Sequence, residues 1–197
     1  MMLSKRFNDA VAFAASAHAG QTRKGTQIPY ITHPLSVAGL VLEFGGDEEQ
    51  AIAGLLHDVV EDCGVELVTL ADRFGIRVAA IVEGCTDGAP DEHGRKAPWL
   101  ERKERYLSDL ADEPDDTLLV CACDKLHNAR SIVSDIRFVG SSIFDRFAAT
   151  REQTIWYYRR LAGVFARRLP DTRLVRALEY EIQAMTDFGI SRDATAL

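Results

Sequence analysis

Apolar residues recur at helical spacing along almost the whole chain, and convincing strand alternation is absent. That single feature predicts an all-α fold, because a period near 3.6 gathers apolar side chains on one face of a helix and scatters them on a strand. Helices are expected over residues 4–19, 33–44, 66–74, 76–86, 98–112, 115–137, 150–168 and 171–187, with a further one capped by Asp47 that runs into residues 54–62. The punctuation agrees. Pro34 suits a first helical position, Gly45-Gly46 ends a helix, Asp47 caps the next, Gly75 breaks one and Pro170 separates the last two. Residues 20–32 and 87–97 read as loops, the second polar and flexible, and residues 188–197 are expected to fray. Short connections in 197 residues predict one helical domain over 1–197, a bundle with helix 171–187 packed on a motif-bearing core of about 5–165.

Composition narrows the partners. At 47% hydrophobic and 27% charged residues the chain has the make-up of a soluble globular protein. The N-terminal residues lack a signal-peptide apolar core, which predicts a cytoplasmic location, and no apolar run approaches a membrane span. A net charge of −7 argues against nucleic acid or an anionic membrane as partner, so a polyanionic ligand needs local positive charge. Oligomerisation is compatible with all of this. Cys63, Cys85, Cys121 and Cys123 lack CxxC spacing and read as reduced, partly buried thiols, with a thiolate site at Cys121 and Cys123 the lesser alternative.

Chemistry concentrates in Gly54-Leu-Leu-His57-Asp58-Val-Val-Glu61-Asp62. On a helix, Leu55, Leu56, Val59 and Val60 share one half of the circumference. His57, Asp58, Glu61 and Asp62 share the other, with His57 over Glu61 and Asp58 over Asp62. No Lys or Arg occurs from Ala51 to Val68, and three carboxylates this close repel unless a cation sits among them. A metal site and a solvated face are both open readings of this stretch alone.

Two other segments bear on it. Asp124 follows an apolar run (Leu118 to Cys123) and is expected to be buried, where a carboxylate needs a metal or a partner such as Arg130 or Lys125. His33 opens a helix, a place that also suits a capping or surface histidine. Taken together, His33, His57, Asp58 and Asp124 make a two-His, two-carboxylate set suited to Mn²⁺, Fe²⁺ or Zn²⁺, with coordination positions left for water and substrate. Arg23-Lys24-Gly25 offers a planar fork, a point charge and close backbone approach, useful for a phosphate or a base.

In order along the chain, His18-x-Gly-Gln-x-Arg23-Lys24, Pro29-Tyr30-Ile31-x-His33-Pro34, Leu56-His57-Asp58-Val59-Val60-Glu61-Asp62 and Asp124-Lys125-Leu126-His127-Asn128-x-Arg130 resemble the successive motifs of the HD-domain metal phosphohydrolases, and within them the hydrolase domain of the RelA/SpoT family. The resemblance implies one divalent metal, usually Mn²⁺, held by His33, His57, Asp58 and Asp124. It implies water and proton handling by Glu61 and Asp62, and nucleotide contacts from Arg23, Lys24, Asn128, Arg151 and a tyrosine at 157 or 158, taken as Tyr158. It further implies hydrolysis of guanosine 3′-pyrophosphate nucleotides, (p)ppGpp, to GDP or GTP and pyrophosphate, by a stand-alone small alarmone hydrolase of the stringent response. The alternatives are another nucleotide substrate (ppApp, NADPH or a deoxynucleotide) or a domain that binds nucleotide without turnover.

Three positions depart from the family pattern. Asp87 follows Thr86 where a lysine is usual, Cys63 replaces Thr, and Cys123 replaces Ala. The four metal positions are untouched, but loss of the lysine leaves a polyphosphate less neutralised and bears on substrate identity. Trp156-Tyr157-Tyr158 is expected to be mostly core. The basic pairs in Arg102-Lys103-x-Arg105 and Arg159-Arg160 are expected on solvated helix faces, and His93 and His127 at the surface or behind the ligands.

Overall fold

Several helix starts in this chain are fixed by side chains that satisfy otherwise unpaired N–H groups. In the computed structural model, which describes residues 2–87 and 97–188, the Ser4 hydroxyl caps α1 (Lys5–Ala17) by accepting from Arg6 N–H. α2 (Thr32–Glu43) follows the 18–31 loop and carries His33 and Pro34 in its first turn, where the N–H that proline lacks has no helical partner to lose. Asp47 and Gln50 form a capping box on α3 (Glu48–Leu56). Then come α4 (Val59–Cys63), α5 (Leu67–Phe74), α6 (Ile76–Cys85), α7 (Trp99–Asp112), α8 (Asp115–Val139), a 3₁₀ segment (Gly140–Arg146), α9 (Arg151–Arg168) and α10 (Arg173–Asp187). The fold is all-α. Among the described residues the β-type pairing is one isolated bridge, Thr22 with Pro29, and no helix is long and apolar enough to cross a membrane. Most of the 87–97 loop, His93 and the 189–197 tail lie outside the described residues.

Two local differences from the periodicity stand out. The helix expected to run through residues 54–62 is split, with α3 ending at Leu56 and α4 starting at Val59. A helical wheel looks alike on both sides of such a break, so the pattern hides it. The 3₁₀ segment after α8 opens on Gly140 at φ +71°, a conformation that costs glycine little.

The contacts divide the chain into two compact units, Met1–Asp124 and Lys125–Leu197, with the boundary inside α8. In the first unit α3 packs against α1, α2 and α6. Gly54 permits the close approach to α2, since a Cβ there would stand 3.3 Å from Ala38 Cα and 3.4 Å from its nitrogen. Ile52, Leu55, Leu56, Leu70, Val78, Val82 and Leu118 fill the core of this unit. Arg77 ties three helix starts together: it bonds Asp47 Oδ2 at 2.7 Å, Glu49 Oε2 at 3.0 Å and Asp116 Oδ2 at 2.8 Å. Gln50 adds a bond to Asp116 O at 3.3 Å. These contacts set the α3 and α8 backbones that carry His57 and Asp124.

In the second unit α9 is closed by a Thr150–Gln153 capping box and packs on α10. Tyr157, Tyr158, Leu161, Phe165, Leu174, Leu178 and Met185 are buried there, and Trp156 is half-buried. Arg130, one of the two partners considered for Asp124, pairs with Glu181 at 3.7 Å.

Candidate metal centre

Four side-chain atoms from three segments of the first unit converge. His57 Nε2 lies 3.2 Å from His33 Nε2, 3.0 Å from Asp58 Oδ2 and 3.6 Å from Asp124 Oδ1. His33 Nε2 lies 3.4 Å from Asp58 Oδ2 and 3.2 Å from Asp124 Oδ1. His33, His57 and Asp124 are buried and Asp58 is partly so. Ligand atoms about 2.1 Å from a common ion stand about 3.0 Å apart at right angles and about 3.4 Å apart in a tetrahedron, and the observed spacings span those two values. With both imidazoles neutral the set carries two negative charges, which a dication cancels. The residues present therefore fit a divalent metal, and His33, His57 and Asp58 form a cluster able to hold one.

The ring orientation of His57 has a local cause. Its Nδ1 donates to Gly54 O at 2.9 Å, so a neutral, metal-bound ring would keep its proton on Nδ1 and offer its Nε2 lone pair to the ion. Burial alone would push the His57 pKa down, but the Asp58 carboxylate and the contact with Asp124 hold it well above its ordinary value. Burial likewise raises the Asp58 pKa, and the two imidazoles outweigh that and hold it well below the carboxylate range.

Tyr30 is a site residue that sequence reasoning quoted in a motif without giving it a role. Its hydroxyl donates to Asp58 Oδ2 at 2.6 Å, the same oxygen that approaches both histidines. Burial first, and then the Asp58 charge, push the phenol pKa far up, so it remains a neutral donor. The ring lies 4.7 Å from His18 and 5.9 Å from His33, centroid to centroid. The signal that could have found it is an aromatic hydroxyl three residues before His33, on the loop that leads into that helix.

The other expected residues are placed as follows. Arg23 sits on a tight turn closed by Arg23 N–H to Ile28 O at 2.8 Å, with Gly25 at φ +71° and the guanidinium 5.6 Å from the Tyr30 ring. Lys24 on the same turn is exposed. Gln21 ties this loop to α4, its Nε2 donating to Asp62 O at 3.4 Å and its Oε1 lying 2.8 Å from His18 Nδ1. Glu61 is half-buried, and its Oε2 accepts from Asp87 N–H at 3.3 Å, whereas Asp62 is exposed. Asn128, Arg151 and Tyr158 belong to the second unit. Asn128 is half-buried on α8, Arg151 donates from Nη2 to Thr186 O at 3.1 Å, and Tyr158 is buried with its ring 5.9 Å from Tyr157.

The expectation of a solvated face fails for part of α7. Arg102 and Lys103 are 16% exposed each and bind Asp87, while Arg105 stays exposed beside Glu101. Asp87 draws them in: a buried carboxylate needs compensating charge. All four cysteines are thiols rather than disulfides, with Cys121 and Cys123 buried and Cys63 and Cys85 half-buried.

Comparison with known proteins places this geometry in a class. The chain belongs to the HD domain family, matching it over residues 10–155, and HD domains bind a divalent metal. It is 38% identical over 123 residues to the guanosine-3′,5′-bis(diphosphate) 3′-pyrophosphohydrolase of Aquifex aeolicus, covering 62% of this chain and 17% of the relative. It is 34% identical over 132 residues to the bifunctional (p)ppGpp synthase/hydrolase SpoT of Escherichia coli K12, covering 66% of this chain and 18% of the relative. The chain thus spans under a fifth of the length of these curated relatives. Among solved structures, a metazoan SpoT ortholog that hydrolyses ppGpp matches with TM-score 0.72 and 25% identity, covering 93% of this chain and 97% of the other.

Proposed function

We propose that this chain, a cytoplasmic HD domain, hydrolyses guanosine 3′-pyrophosphate nucleotides to GDP or GTP and pyrophosphate, with Mn²⁺ as cofactor. The observation that carries the reading is the convergence of His33, His57, Asp58 and Asp124 at 3.0–3.6 Å in a chain whose relatives include (p)ppGpp hydrolases. Those four residues hold the ion. When bound, the ion supplies Lewis acidity, lowering the pKa of a water and offsetting phosphate charge.

The remaining steps belong to side chains. Glu61 orients the attacking water and takes its proton. Asp62, exposed on the same short helix, shares this proton traffic with Glu61, and the proton taken from the water is the one returned to the leaving 3′-oxygen. The Arg23 fork and the Lys24 point charge receive phosphate oxygens. Tyr30 holds Asp58 in place through its hydrogen bond.

A second reading keeps the chemistry and changes the nucleotide to ppApp, NADPH or a deoxynucleotide. It is favoured by Asp87, an acid where the resembled pattern often has a lysine. Metal-reconstituted protein incubated with ppGpp, pppGpp, ppApp and NADPH separates the two. Pyrophosphate release from the guanosine substrates is expected, and predominant orthophosphate release counts against it. His33→Ala and Asp124→Ala should each lose metal and activity together. Retention of both at wild-type level would overturn the ligand assignment.

A further inference from the structure

Glu61 lies on α4 in a stretch that contains no lysine or arginine from Ala51 to Val68. Its Oε2 accepts from a main-chain donor, the N–H of Asp87 at 3.3 Å. The backbone at Asp87 is pinned from two directions. On one side Thr86 closes α6, its N–H bonding to Glu83 O at 3.0 Å and its hydroxyl to Val82 O at 3.0 Å. On the other, the Asp87 carboxylate, in a residue only 7% exposed, is gripped by adjacent cations of α7. Arg102 Nη1 donates to Asp87 Oδ2 at 2.9 Å and to Asp87 O at 3.4 Å, and Lys103 Nζ donates to the same Oδ2. Arg102 is itself tied by Nε to Ala97 O at 3.2 Å.

A carboxylate buried to this degree is held only with compensating charge. Here the compensation also fixes a direction. Side-chain grip and helix cap together leave the Asp87 N–H little freedom to drift from Glu61, and an acid–base group works only within a narrow range of positions.

We infer that Asp87, held by Arg102 and Lys103, is a positioning residue for Glu61. The inference rests on the hydrolytic role proposed for Glu61. The exchange of a usual lysine for Asp87 is then a change in how the carboxylate is held, and its kinetic signature is in turnover. A lost phosphate contact would instead show in substrate binding.

The experiment uses full-length protein carrying ¹³C-labelled glutamate, with the Glu61 carboxyl resonance identified by Glu61→Gln. Asp87→Asn and Lys103→Gln should shift that resonance, and Lys103→Arg should leave it in place. With Mn²⁺ and ppGpp, the first two variants should lose kcat on the order of tenfold, with KM within about twofold of wild type and metal content unchanged, and Lys103→Arg should retain kcat. An unmoved Glu61 resonance in Asp87→Asn and Lys103→Gln, or a rise in KM at constant kcat, would overturn the inference. If Asp87→Asn fails to fold, the contrast between Lys103→Gln and Lys103→Arg carries the test. A wild-type protein that hydrolyses none of the nucleotides while the resonance still moves would sink the hydrolytic reading and leave the positioning contact standing.

Discussion

Tyr30→Phe is the most informative single change at the centre. It deletes one oxygen and leaves the ring packed between His18 and His33. What is lost is a 2.6 Å hydrogen bond to Asp58 Oδ2. A hydrogen bond to a charged acceptor contributes about 1.5–3 kcal/mol, and each 1.4 kcal/mol is about tenfold in affinity. Partners that orient metal ligands are worth about 10–100-fold in metal affinity by mutation, so the two scales agree. We expect Tyr30→Phe to weaken Mn²⁺ binding about 30-fold, or about 2 kcal/mol. Calorimetric titration of metal-free protein, backed by competition with a chelator, measures this directly. The direction of the phenol shift adds a second constraint. Its pKa is raised above the ordinary value of about 10, so the donor is still protonated at about pH 9 and the penalty should be the same there as at about pH 7. Affinity within twofold of wild type, or a penalty that vanishes at the higher pH, would refute the reasoning.

Other perturbations act on the frame. Gly54→Ala pushes a Cβ to 3.3 Å from Ala38 Cα. Overpacking of about 1–3 kcal/mol should exceed the helix-propensity gain of about 1 kcal/mol, for a net loss seen in denaturant midpoint, together with weaker metal binding. An equal or higher midpoint would contradict the packing account. Arg77→Gln should cost about 1 kcal/mol at neutral pH after solvent screening. It should also flatten the acid limb of stability. The Asp47 pKa is lowered because its cap bonds and Arg77 outweigh the burial that would raise it, and the Glu49 pKa is lowered chiefly by the Arg77 hydrogen bond. Both groups therefore stabilise the fold above their unfolded pKa values, and that contribution is lost as pH falls through the acid range. Identical acid limbs in variant and wild type would show that the Arg77 network does not govern them.

The helices were legible because their signals are local. Apolar spacing and caps place α9 and α10 within a residue or two of Arg151–Arg168 and Arg173–Asp187. The nearness of His33, His57, Asp58 and Asp124 was legible from the order of motifs and the buried character of the Asp124 segment. What escaped depends on distant partners. Tyr30 meets Asp58 across 28 positions, and Arg102 meets Asp87 across 15. Arg102 and Lys103 stand beside a Glu101–Arg105 pair with ordinary i,i+4 spacing, which reads as a wet face until the buried acid is seen. The break at His57–Asp58 is invisible to periodicity, because the angular phase of the side chains barely changes across it.

The Gly54 carbonyl that aims His57 has a consequence for how this centre can change over time. A main-chain oxygen exists whatever residue stands at position 54, so no point mutation can delete the acceptor. Only a shift of the backbone can misalign it. The Tyr30 hydroxyl on Asp58, in contrast, disappears with one nucleotide change in a codon. One half of the centre is therefore shielded from drift by the covalent structure of the chain. The other half is adjustable one side chain at a time, and that is where selection could tune the strength with which the ion is held.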